Sequence, residues 1–203
     1  MSDISLDQIK ELRSRTGVGI KHVKEALEES DGDMDKAILY LRKKGIAKAA
    51  KRAGKTANQG HIASYIHGNG SMGVLVEVNT ETDFAAKSDH IKEFAHDLAL
   101  HVAANDPQYV RIEDVPEEVV EKEKEVFKKE LKGKPEDVIE KIVEGKLKKF
   151  YEEVVLEEQT YLKDEDKKVK DMINEVVAAV GEKIMIGRIA RIKIAAPASK
   201  CGF

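Results

Sequence analysis

The chain has 203 residues, enough for one domain of ordinary size plus a small appendage. Hydrophobic residues make up 41% and charged residues 36%, with both signs interleaved to a formal net charge of −3. That balance argues against a dedicated nucleic-acid or membrane-surface protein, whose affinity comes from a basic excess, and no run approaches the ~20 apolar residues of a membrane span. The opening "MSDISLDQIK" has no apolar signal core, so a cytoplasmic location is expected. Cys201 is the only cysteine, which rules out an internal disulfide and leaves only a bond between two chains or a free thiol.

In chain order, residues 1–45 read as a three-helix module suited to docking. Ser5 and Gln8 form a capping box, and Ile4 and Ile9 are spaced as its hydrophobic staple. Leu6, Ile9 and Leu12 line a first helix, which Thr16-Gly17 interrupts. Ile20, Val23, Ala26 and Leu27 line a second. Asp33 caps a third, striped by Met34, Ala37, Ile38 and Leu41, with Gly45 expected as its left-handed C-terminal residue. Residues 46–60 form a connector. Seven basic residues and no acid lie between Arg42 and Lys55, either a patch for an acidic partner or a solvated helix face. "AGKT" at 53–56 imitates the end of a phosphate-binding loop, but that motif needs glycine where Ala49 stands, so it is rejected.

Residues 61–203 read as an α+β core. Strands at about 61–67 and 72–79 flank Gly68-Asn69-Gly70-Ser71, a turn rich in residues that tolerate positive φ. A third strand is expected at 187–195, closing a small three-stranded antiparallel sheet with helices over one face. Residues 88–180 are expected to be mostly helical. Ile91, Phe94, Ala95, Leu98 and Val102 mark one helix, Pro116 and Pro135 open the next two, the second of these running to about Glu158, and a last one ends at Gly181.

Nothing in the sequence demands catalysis, and neither metal nor cofactor is expected. His96 and His101 are five apart, which does not stack them on a helix; there is no HExxH and no GxSxG. One stretch stands out instead. "VLVEVNTETDFAAK" is a strand that stops and is followed at once by an acid and a large ring, Asp83 and Phe84. Either Thr82 or Asp83 caps a short helical turn and Phe84 plugs the sheet, or Phe84 is held out as a rigid aromatic anchor for a partner.

Several blocks resemble one family. "LRSRTGVGIKHVKEALEESDGDMDKAILYLRKKGIAKAAKRAG" is similar to the amino-terminal signature of bacterial translation elongation factor Ts, and "VEVNTETDFAAK" to its second signature. "LALHVAANDPQYV", "KPEDVIEKIVEGKLKKFYEEVVLEEQTYLKD" and "GEKIMIGRIARIKI" resemble later blocks in the same order, so the resemblance runs from about Leu6 to Ile194. It implies guanine-nucleotide exchange on elongation factor Tu, a GTPase, without chemistry on a substrate and without nucleotide or nucleic acid binding this chain. It also implies a ubiquitin-associated-like module at the amino terminus. Carried over by position, Arg13, Thr16, Gly17, Val18, Gly19, Ile20 and Lys24 would face the partner. Asp83 and Phe84, with Thr82, would form an exchange wedge, His101 would lie on the core's contact surface, and Lys51 would add a secondary contact. Ile20 and Lys21 stand where the family often has two methionines. Short members of this kind resemble those that work as homodimers. The rival readings are a ubiquitin-associated-type adaptor, which would account for residues 1–45 alone, and a nucleic-acid-binding protein using the basic run.

Overall fold

The computed structural model describes residues 4–131 and 135–194. Cys201, read as either an interchain bond or a free thiol, and the far end of the third strand lie outside the described residues.

The amino-terminal module folds as the sequence spacing requires. Helix α1 (Leu6–Thr16) opens on the Ser5–Gln8 capping box, each side chain bonded to the other's backbone N–H at 2.9 and 3.1 Å. Helices α2 (Ile20–Glu29) and α3 (Met34–Arg52) complete it around Leu12, Val23, Ala26, Leu27, Ala37 and Leu41, all buried. Asp33 caps α3 by accepting from Asp35 and Lys36 N–H. Gly45, however, does not end that helix. It is buried mid-helix, and α3 continues through what was expected to be connector, as far as Arg52. A glycine inside a helix costs about 1 kcal/mol relative to alanine, so something must require it there, and packing does. A Cβ at Gly45 would lie 2.9 Å from the Asn174 carbonyl oxygen and 3.2 Å from Ala178 Cβ.

Beyond α3, strands β1 (Gln59–His67) and β2 (Met72–Thr80) form the expected hairpin, with Gly68 and Gly70 at φ 58° and 89° in its loop. Strand β5 (Ile184–Lys193) adds on the other side of β2, giving the antiparallel order β1-β2-β5. It begins three residues earlier than expected, because Ile184 and Ile186 pair with Thr80 and Val78 and are buried. A bulge between Val76 and Val78 falls opposite Gly187, where a Cβ would come within 2.7 Å of the Glu77 carboxyl carbon.

One face of the sheet carries Val74, Val76 and Val78. It packs on helix α5 (Asp89–Asn105) through Ile91, Phe94, Ala95, Leu98 and Val102, and helix α8 (Val169–Val180) closes the core with Val169 and Val177. Helices α6 (Glu117–Glu130) and α7 (Glu136–Val154) pair with each other, Lys146 standing over the Phe127 ring with its Nζ 5.1 Å from the centroid. Helix α7 stops four residues short of the expected end, because Val155 turns extended to bridge Tyr109. A small hairpin follows that the sequence pattern did not announce, β3 (Thr160–Tyr161) and β4 (Asp164–Lys168). Among the described residues, no helix is long and apolar enough to cross a membrane.

Candidate functional site

Strand β2 ends at Thr80, and the chain turns through Glu81 and Thr82 into a single helical turn, α4 (Asp83–Ala86). Thr82 is the N-cap, its hydroxyl accepting from Ala85 N–H at 3.2 Å. Ala85 and Ala86 are buried, so the turn is anchored from beneath. Phe84 is not: its side chain is 84% exposed, the most exposed large hydrophobic residue among those described. The ring does not plug the sheet. Exposing an aromatic of this size forgoes about 1.5–3 kcal/mol of burial, so its place is not explained by the stability of the described chain.

The backbone under the ring is pinned from several sides. Glu182, just before β5, accepts both the Thr82 N–H (3.0 Å) and the Thr82 hydroxyl (2.7 Å). Thr80, fully buried, donates its hydroxyl to the Thr82 carbonyl at 2.7 Å. Glu81 accepts the Lys183 N–H at 2.6 Å and an Arg52 guanidinium N–H at 2.7 Å. Those two bonds, the backbone one foremost, hold the Glu81 carboxyl below its ordinary range. Asp83 pairs with Lys87 at 2.7 Å, and that hydrogen bond with its charge keeps the Asp83 carboxylate ionised to lower pH than usual. The result is a fixed aromatic tip with a carboxylate beside it.

The turn expected to face a partner takes shape at the end of α1. Gly17 is left-handed at φ 65°, its N–H bonded to the Arg13 carbonyl at 2.8 Å. Thr16 turns its hydroxyl back to the Leu12 carbonyl. Arg13, Gly19, Ile20 and Lys24 are exposed, whereas Val18 is buried in the module's own core. Val18 also lines a cleft of about 330 Å³ with His22, Leu41, Ala47, Lys51 and Ala178, which places Lys51 beside the turn.

His90, in the first turn of α5, packs against this turn. A Cβ on Gly17 would stand 2.8 Å from His90 Cε1. Of the residues expected at a partner surface, two are found in the interior, Val18 in the module's own core and His101 in the main core. His101 is not on the surface. It is fully buried, bonded to Gln159 Oε1 at 2.9 Å through Nε2 and accepting the Leu162 N–H on Nδ1 at 3.2 Å. Burial lowers its pKa, and the ring serves to seat the β3–β4 hairpin. Sequence reasoning missed Glu81 and Glu182 as holders of the tip. Glu182 is 100 positions from Thr82, and no local pattern joins them.

Much of the basic run is engaged internally. Arg42 pairs with Glu175 (3.2 Å), Lys44 with Glu25 (2.5 Å) and Arg52 with Glu81, while Lys48 donates to the Ala178 carbonyl. Among the described residues no cluster of His, Cys, Asp and Glu could hold a metal ion.

Comparison with known proteins gives one consistent result. The family model described as Elongation factor TS matches residues 45–177. Elongation factor Ts of Thermotoga neapolitana is 56% identical over 192 residues, covering 95% of this chain and 98% of that protein. The Thermotoga maritima protein of the same name is also 56% identical, over 95% of this chain and 96% of its own length. Elongation factor Ts of Moorella thermoacetica is 53% identical over 193 residues, 94% of this chain and 95% of that one.

Proposed function

The chain belongs to the elongation factor Ts family, translation elongation factors, and on that footing we propose that it is a guanine-nucleotide exchange factor that promotes release of GDP from elongation factor Tu. The observation that carries this reading is the Phe84 ring, 84% exposed on a turn whose backbone is fixed by Glu81, Thr80 and Glu182. A ring with few rotatable bonds on a fixed base loses little entropy when it inserts between two elements of a partner.

A GTPase holds GDP through backbone amides and Mg²⁺, and magnesium tolerates little departure from octahedral coordination at ~2.0–2.1 Å. Phe84 pushed in beside that site displaces the backbone that shapes it, while the Asp83 carboxylate accepts hydrogen bonds from the disturbed surface. Coupling is reciprocal: a factor that binds the empty GTPase more tightly weakens its hold on nucleotide by the same ratio. Typical couplings of about 1–3 kcal/mol give roughly 5–150-fold, and exchange calls for the top of that range or beyond. No covalent bond changes, so the chain works by binding alone, in the cytosol. The module's exposed Arg13, Gly19, Ile20 and Lys24 supply the docking contact, with Lys51 at the adjoining cleft. His101 acts from within, by holding the core behind the contact face.

The homodimer is the second part of the proposal. Ile62, Ile66, Leu75 and Ile192 are exposed on the sheet face away from α5, an apolar surface that a second copy would cover.

The test is release of fluorescent GDP from elongation factor Tu with the intact chain, with Phe84→Ala and with Asp83→Ala. The intact chain accelerates release. Phe84→Ala loses at least tenfold of that acceleration while its unfolding free energy moves by less than about 0.5 kcal/mol, as for an exposed site. An intact chain that leaves GDP release unchanged sinks the reading.

A further inference from the structure

The amino-terminal module touches the tip-bearing segment on both sides. Before the tip, Arg52 at the end of α3 reaches Glu81, the residue next to Thr82. After it, the docking turn packs Gly17 against His90. Between these contacts α3 lies along α8, held by Arg42–Glu175 and by Lys48 on the Ala178 carbonyl. Helix α8 itself runs through Gly181 into Glu182, which holds Thr82. Gly45 lies on that seam at a close approach, with the Asn174 carbonyl oxygen 2.9 Å from where a Cβ would sit.

From this arrangement we propose that the α3–α8 seam, closed at Gly45, is the positioning element that sets the distance between the docking turn and the Phe84 tip. Gly45 touches no partner; it acts through the spacing of the two helices. Helix separation depends on the side chains at the contact, and a backbone carbonyl cannot swing aside as a side-chain end can. Any side chain at position 45 therefore lifts α3 from α8, and the docking turn travels with it. A partner held by the turn then presents its nucleotide site out of register with the ring. Lys183, which donates to the Ala53 and Lys55 carbonyls at 2.6 and 2.9 Å, ties the far end of α3 to the start of β5 and keeps the lever short.

The inference rests on the exchange reading, and the experiment separates the two. GDP release from elongation factor Tu is followed against increasing concentration of the intact chain, Gly45→Ala, Gly45→Val and the double variant Gly45→Ala/Ala178→Gly. The half-saturating concentration reports docking, and the maximal rate reports the tip. The maximal rate is expected to fall in the order Gly, Ala, Val, by on the order of 10²-fold at Val, with the half-saturating concentration changing far less. Alanine is the better helix former, so a loss at Gly45→Ala cannot come from helix weakening, and that variant decides the matter if Gly45→Val fails to fold. Ala178→Gly opens part of the seam and restores part of the rate. Maximal rates that stay flat across the series, or a change confined to the half-saturating concentration, overturn the positioning role and leave the exchange function standing. An inactive intact chain overturns the exchange function itself.

Discussion

Thr82 shows how much one residue can carry: its hydroxyl caps α4, donates to Glu182, and its backbone N–H and carbonyl are both tied down. At the same scale Glu157 is at odds with its surroundings. Burial pushes its carboxyl up to about 7 from 4.5, with Glu113, Asp114 and Glu158 adding to the rise and Arg111 opposing it. Between those two pH values the folded chain holds a proton that the unfolded chain has lost. The stability this group allows is therefore fully present below pH 4.5 and is lost as pH rises through 7. His101 runs the other way, because burial keeps it neutral and stability is lost as pH drops below about 6.5. The two overlap in the wild-type profile, so a variant is needed to separate them. Glu157→Gln is expected to raise Tm at pH 8 by about 2–4 °C, the shift for ~1 kcal/mol in a chain of this size, and to do nothing near pH 4.5. Equal shifts at both pH values in a thermal melt would mean that packing, not charge, is the cause.

At the scale of elements, the central strand β2 divides its faces cleanly. Val76 is fully buried against α5, while Glu77 on the opposite face pairs with Arg188 at 2.8 Å. Removing two buried methyl groups costs their transfer energy plus a cavity, so Val76→Ala should destabilise by roughly 2–3 kcal/mol in urea titration. Arg188→Ala breaks only an exposed ion pair, worth at most about 1 kcal/mol. A larger loss at Arg188 than at Val76 would reverse the assignment of inner and outer faces. The same alternation is legible in "MGVLVEVN" alone, because a strand's period of two needs only local sequence. The capping box at Ser5 was legible for the same reason. The end of α3 was not. Glycine after a stripe of apolar residues is an ordinary stop signal, and what overrides it at Gly45 is a neighbour 129 positions away, Asn174. The β3–β4 hairpin was equally silent, since its Tyr161 is fixed by Asp97 across the core and β3 is only two residues long.

At the scale of the whole molecule, the homodimer proposal rests on the outer sheet face. Ile192 is 76% exposed there and lies across Gly73 from Ile66, with Leu75 one row along on β2. Analytical ultracentrifugation at micromolar concentration should show a dimer for the intact chain and a monomer for Ile192→Glu, with the monomer still folded. A charge on that face costs a lone chain nothing, since the position is already in water, whereas a covered face would have to bury it. A dimer that survives Ile192→Glu places the interface elsewhere.

The amino-acid sequence by itself determined the helix caps, the alternation of β2, the α+β class and the family, because each is written in neighbouring residues or in blocks kept in order along the chain. It left the Phe84 question open, since a ring after a strand reads the same whether it points in or out. Only the tertiary structure decided that it points out, that His101 points in, and that Glu81, Glu182 and Arg52 meet beneath the tip. Those relations join residues tens to a hundred positions apart, and contact across such distances is set by how the sheet and helices pack, not by any local pattern.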